Sequence, residues 1–222
     1  MLLIKSLCLI LAVSALALAV EAAPSAGDLV EEEIALNPDT GIASGATRMG
    51  GQFFIKGLES VGLFVGNPNM LFRADRVVMT FDARPLLRRA MKIKSAKLVF
   101  HTDYIFGPDD KREIALVVFD RQLNELTEES LSSSEVKPVA TVTVSSADQT
   151  KGGQAEGTLK EFEVTNQLLE KIQAGMTSIS FRLQDVKAEE EGNPNLQPTG
   201  ITLDKRPGFL PKIMVRMERW SE

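Results

Sequence analysis

From about residue 49 onward, apolar and polar side chains alternate with a period of two in stretch after stretch, the spacing of half-buried β-strands. Between Lys97 and Phe106, the residues Leu98, Phe100, Tyr104 and Phe106 share one face, opposite Lys97, His101 and Asp103. Between Thr177 and Val186, Ile179, Phe181 and Leu183 alternate with Ser178, Ser180, Arg182 and Gln184. Near the C-terminus Ile213, Val215 and Met217 alternate with Lys212, Met214, Arg216 and Glu218. Further strands are expected over residues 76–81, 139–144 and 160–164. Residues 114–119 are apolar at every position, as in a strand covered on both faces. Alternation repeated this often predicts an all-β fold, a two-sheet antiparallel sandwich with one or two short helices.

Turn chemistry separates the runs. Gly107-Pro108-Asp109-Asp110 joins two of them, and Lys151-Gly152-Gly153 and Gly192-Asn193-Pro194-Asn195 mark loops. Asp82 is placed to cap a helix over 83–90, with Pro85 in its first turn, and Thr165 to cap one over 166–174 that Gly175 ends. Residues 23–48 are read as an N-terminal lead. Within it 29–36 is a candidate edge strand and 37–45 a turn-rich, mobile stretch. Residues 49–222 form the sandwich domain.

Residues 1–22 read as a signal peptide. Lys5 supplies a short basic region, an uncharged apolar run extends from Leu7 to Val20, and Val20-Glu21-Ala22 offers small residues at the cleavage positions. The run is short for a membrane span, and no later segment approaches that length. The chain is therefore expected outside the cytoplasm, secreted or held in the periplasm or at the cell surface. The only cysteine, Cys8, leaves with the leader, so the remainder has no thiol or disulfide chemistry. Absence of Asn-x-Ser/Thr sequons fits a bacterial source.

The formal charge of −5 is spread over intermixed acids and bases, which argues against a nucleic-acid partner. Nucleotide binding is not expected, because neither glycine pair has phosphate-loop spacing. His101 is the only histidine, too few for a catalytic zinc site and without a nucleophile elbow beside it. Nothing in the spacing selects a pair of acids for glycoside hydrolysis, and no catalytic residue is assigned. Asp103, Asp109 and Asp110, together with Asp120 and Asp204, offer oxygen ligands for a structural calcium ion, the one cofactor the sequence suggests. Strand parity puts Trp220 outward with Arg216, while Tyr104 joins the core-facing set. Trp220, Arg182 and Arg216 are the candidate ligand-binding side chains.

Several segments, taken in order, carry a family resemblance. Residues 76–82 (RVVMTFD) followed by 93–98 (IKSAKL) resemble the R-x-x-x-x-FD … I-x-SA-x-L core of DNRLRE-type domains, jelly-roll modules related to disaggregatase-associated and alginate- or ulvan-type carbohydrate-binding modules. Residues 161–165 (EFEVT) resemble their FDVT strand end, 175–183 their G-x-x-S-F-x-L strand, and 211–215 (PKIMV) their closing strand. The family's tryptophan loop is replaced here by 126–131 (LTEESL). The resemblance implies a jelly roll and a non-catalytic role in binding polysaccharide of a cell envelope or extracellular matrix. The competing expectations are a self-assembling structural subunit of a matrix, surface layer or appendage, and a polysaccharide-degrading enzyme.

Overall fold

The computed structural model describes residues 29–47, 52–59, 62–67, 74–132, 138–151, 157–191 and 198–219. The leader and the first part of the lead lie outside them. Along the chain come strands β1 (Leu29–Ile34), β2 (Ile42–Thr47), β3 (Phe53–Lys56), β4 (Leu63–Asn67) and β5 (Arg76–Asp82). Then follow β6 (Ile93–Phe100), β7 (Thr102–Phe106), β8 (Lys111–Val118), helix α1 (Glu128–Ser132) and β9 (Pro138–Ser145). The last elements are β10 (Lys160–Glu163), α2 (Thr165–Gln173), β11 (Ser178–Asp185), α3 (Val186–Glu191), β12 (Thr199–Leu203) and β13 (Lys212–Glu218).

These strands form a four-stranded sheet ordered β1-β13-β6-β10, a six-stranded sheet ordered β3-β2-β5-β11-β8-β9, and a small sheet ordered β4-β12-β7. All named strand pairings are antiparallel. Numbered consecutively as eight strands, β1, β5, β6, β8, β9, β10, β11 and β13 fall into sheets 1-8-3-6 and 2-7-4-5. That interleaving is the double Greek key of a jelly roll, and the expected sandwich is present. β2 and β3 extend the six-stranded sheet.

The inner faces supply one apolar core, which includes Leu98, Phe100, Phe162, Phe81, Phe181, Ile213 and Val215. Phe100 stacks on Phe162 from the adjacent strand with ring centres 6.0 Å apart, and Phe81 meets Phe181 edge-on at 6.0 Å. Side chains this large make the core's main contribution through burial and paired-ring contact. Alternation in β13 is as expected, with Ile213, Val215 and Met217 buried.

Three departures from the pattern have physical causes. The chain does not run straight from Lys97 to Phe106: it breaks at His101 and passes from β6 in the four-stranded sheet to β7 in the small one. The parity that made Tyr104 a core residue therefore does not carry over, and Tyr104 is 39% exposed. β11 is buried on both faces, not one, because a second apolar cluster of Val78, Phe119, Leu123 and Leu131 covers the outside of its sheet. The helix expected over 83–90 is instead two 3₁₀ turns, 84–86 and 90–92, although Asp82 Oδ1 does accept the Arg84 backbone N–H at 3.0 Å.

Thr165 opens α2 but does not cap it. Its hydroxyl oxygen accepts the Ala96 backbone N–H at 2.6 Å and so ties the helix to β6. Gly175, at φ +75°, follows the helix end as expected. Residues 29–47 supply β1 at the edge of one sheet and β2 between β3 and β5 of the other.

Candidate functional site

The outward face of the four-stranded sheet is set by the same alternation that buries its inner face. With Ile213, Val215 and Met217 turned into the core, Lys212, Met214 and Arg216 must point outward. Register then aligns neighbours from adjoining strands: Glu31 opposite Arg216 opposite Ser95, Met214 opposite Lys97, and Lys212 opposite Val99 opposite Glu161. The result is a groove of about 510 Å³ across the sheet. Leu159, Gly208, Leu210 and His101 complete its lining.

Charges of both signs line this groove. Lys97 Nζ pairs with Glu161 Oε1 at 2.6 Å, a hydrogen bond that holds the lysine above its ordinary pKa. Lys212 pairs with Glu33 at 2.5 Å. Glu218, at the far end of β13, is held below its usual value by Lys94 at 2.6 Å, with Lys92 at 3.6 Å. Arg216 is exposed, and among the described residues it has neither an ion pair nor a hydrogen-bond partner. Its cross-strand neighbour is Glu31. Exposed cross-strand pairs contribute little to stability, so these side chains are available to a ligand at small cost.

One end of the groove is built from packed side chains. His101 packs edge-on against Phe209 at 4.9 Å, and the Arg206 guanidinium lies over the Phe209 ring, 4.1 Å from its centre. Burial pushes the His101 imidazole below its ordinary pKa, against the opposing pull of the Asp204 charge. Asp204 is itself buried. Burial alone would raise its pKa, but hydrogen bonds from Arg206 and from the Thr150 hydroxyl (2.6 Å) hold it low.

The three expected ligand-binding residues separate. Arg216 stands in the groove. Arg182 does not: expected on an outward face, it is 1% exposed beneath the second apolar cluster. Its guanidinium lies 5.9 Å from the Phe119 ring centre and donates to Gln184 Oε1 at 3.1 Å. Burial and the neighbouring Arg76 charge lower its pKa to about 10. Trp220 lies outside the described residues.

The calcium candidates are dispersed. Asp103 is on β7, where it accepts from Thr150 at 3.4 Å. Asp109, in the β7–β8 turn, is engaged by Lys187 at 3.0 Å and Arg112 at 3.4 Å, and Asp110 is exposed. Among the described residues, no group of three or more His, Asp or Glu is arranged to hold a metal ion. No helix among them is long and apolar enough to cross a membrane.

Sequence reasoning missed Glu31, Ser95, Lys97, Glu161 and Lys212 as parts of one site. Strand parity marks each as outward, but only the β1-β13-β6-β10 order makes them neighbours. No protein-family model matches the chain, and no curated protein matches it significantly.

Proposed function

We propose that the chain is an exported, non-catalytic β-sandwich that binds polysaccharide of a cell envelope or extracellular matrix on the outward face of its four-stranded sheet. The observation that carries the reading is the open groove of about 510 Å³, with Arg216, unpaired among the described residues, between Glu31 and Ser95. A leader-like N-terminus and the ordered resemblance to DNRLRE-type modules support the same reading.

The chemistry fits a hydroxyl-rich extended ligand. Lys97, Lys212 and Arg216 donate, Glu31 and Glu161 accept, and Ser95 does both. Among the described residues that line the groove there is no Phe, Tyr or Trp. Binding would rest on hydrogen bonds and charge, not ring stacking, so affinity is modest and falls as salt rises.

The test is retention on insoluble alginate, ulvan and peptidoglycan. Wild type should be held by at least one matrix, and Arg216→Ala should weaken retention by about tenfold, the loss of one charge-assisted contact. Passage of the wild-type protein through all three would remove this proposal.

A further inference from the structure

A different part of the molecule bears on how copies of this chain meet. The six-stranded sheet ends at β9, eight residues from Pro138 to Ser145 with no charged side chain. Every other edge among the described strands is defended. β1 carries Glu31, Glu32 and Glu33, β10 carries Lys160, Glu161 and Glu163, β3 is four residues long with Lys56, and β7 carries Asp103. β4 is uncharged, but all five of its residues are buried. Charges and short lengths are the usual guards against edge pairing, and β9 lacks both.

We propose that β9 pairs antiparallel with β9 of a second copy of this chain, joining two six-stranded sheets into one. Val139 is 48% exposed, and Pro138, Thr141 and Thr143 are exposed as well. On the inner side, Ala140 and Val142 are only partly buried where they pack against the core, so an added strand would finish covering them. Among the described residues, the backbone of β9 bonds outside its ladder with β8 only at its end, where the Ser145 N–H donates to Asp148 Oδ2 at 2.6 Å.

The strand is complementary to itself. Antiparallel pairing about a two-fold axis at Thr141 or Val142 sets outward residues against outward residues, Thr141 and Thr143, and inward against inward, Ala140, Val142 and Val144. No like charges meet. The ends of the pairing are also defined. Pro138 has no N–H to donate, and the ladder shifts register between Leu116 and Val117 beside it. Beyond the other end, Lys160 of β10 binds Asp148 at 2.8 Å. β10, at the edge of the other sheet, lies close beside β9, and the stretch of β9 backbone without a partner beyond β8 is 140–143. An interface this short is weak, with Kd on the order of 10–100 μM.

Sedimentation velocity on the purified full chain, over a series reaching several times that Kd, tests the proposal. Wild type should show a reversible monomer–dimer equilibrium. Thr141→Lys and Thr143→Lys should each weaken it at least about tenfold while leaving the melting temperature unchanged. Should a lysine variant melt early, Thr141→Cys in a Cys8→Ser background is oxidised instead, and a covalent dimer is expected. A wild type that stays monomeric throughout overturns the proposal. So does a dimer indifferent to both lysines, or a foreign peptide occupying the edge.

Discussion

Arg112 of β8 donates through Nε to Asp185 Oδ2 of β11 at 2.7 Å, and both side chains are almost wholly removed from water. The other Asp185 oxygen accepts the backbone N–H of Ala188 at 3.0 Å, inside the first turn of α3. One carboxylate thus neutralises a buried cation and anchors a short helix. Asp185→Ala would leave the buried guanidinium with only its longer contact to Asp109 at 3.4 Å, at a cost of about 3 kcal/mol. Thermal melting at neutral pH should show a fall on the order of 10 °C for a domain of this size. An unchanged melt would mean that the pair contributes nothing.

Asp75 should make stability depend on pH in the direction opposite to most carboxylates. Its side chain is fully buried, and burial raises its pKa from 3.8 to about 6, with Lys56 at 3.4 Å offsetting only part of the rise. The folded state therefore holds this proton more tightly than the unfolded chain does. The contribution is complete below about pH 4 and is lost as pH rises through about 6, a change of about 3 kcal/mol. Asp148 and Asp204, held low by their partners, lose stability in the other direction as pH falls. The readout is thus the difference in denaturant midpoint between wild type and Asp75→Asn from pH 4 to 7. A difference that stays constant across that range would refute the assignment.

The two arginines read alike from the sequence should behave as opposites. Arg182→Ala removes a fully buried side chain packed over Phe119 and should cost about 2–4 kcal/mol. Arg216→Ala changes an exposed side chain and should leave stability within about 0.5 kcal/mol. Urea unfolding of the two variants decides this, and similar midpoints would contradict it.

Gly200 and Gly208 separate steric crowding from backbone strain. Both have positive φ, +141° and +88°. A Cβ at Gly200 would lie 2.2 Å from the Val65 carbonyl oxygen and 2.9 Å from the Gly66 Cα, whereas one at Gly208 meets nothing within 4 Å. Gly208→Ala should cost about 1 kcal/mol from its conformation alone, and Gly200→Ala at least about 2 kcal/mol more as β4 is pushed off β12. Equal losses would show that the close approach relaxes.

What was legible in the sequence follows from the short reach of its signals. Period-two alternation is a local property, so β5, β9, β10 and β13 were readable from their own residues. β13 could be assigned both its faces because its outer side lines a groove and its inner side the core. Turn chemistry around Gly107 and Gly175 was equally local.

The tertiary structure decided everything that depends on who sits beside whom. Arg182 and Arg216 occupy equivalent alternation positions in similar strands. One is buried and the other exposed because Phe119, Leu123 and Leu131 fold over the six-stranded sheet, while among the described residues the outer face of the four-stranded sheet forms a groove. Likewise Lys97, Glu161 and Arg216 become neighbours only when β6 takes its place between β13 and β10. A strand's own residues set which way its side chains point. The long-range pairing that chooses its neighbours sets whether water, a core or a partner meets them.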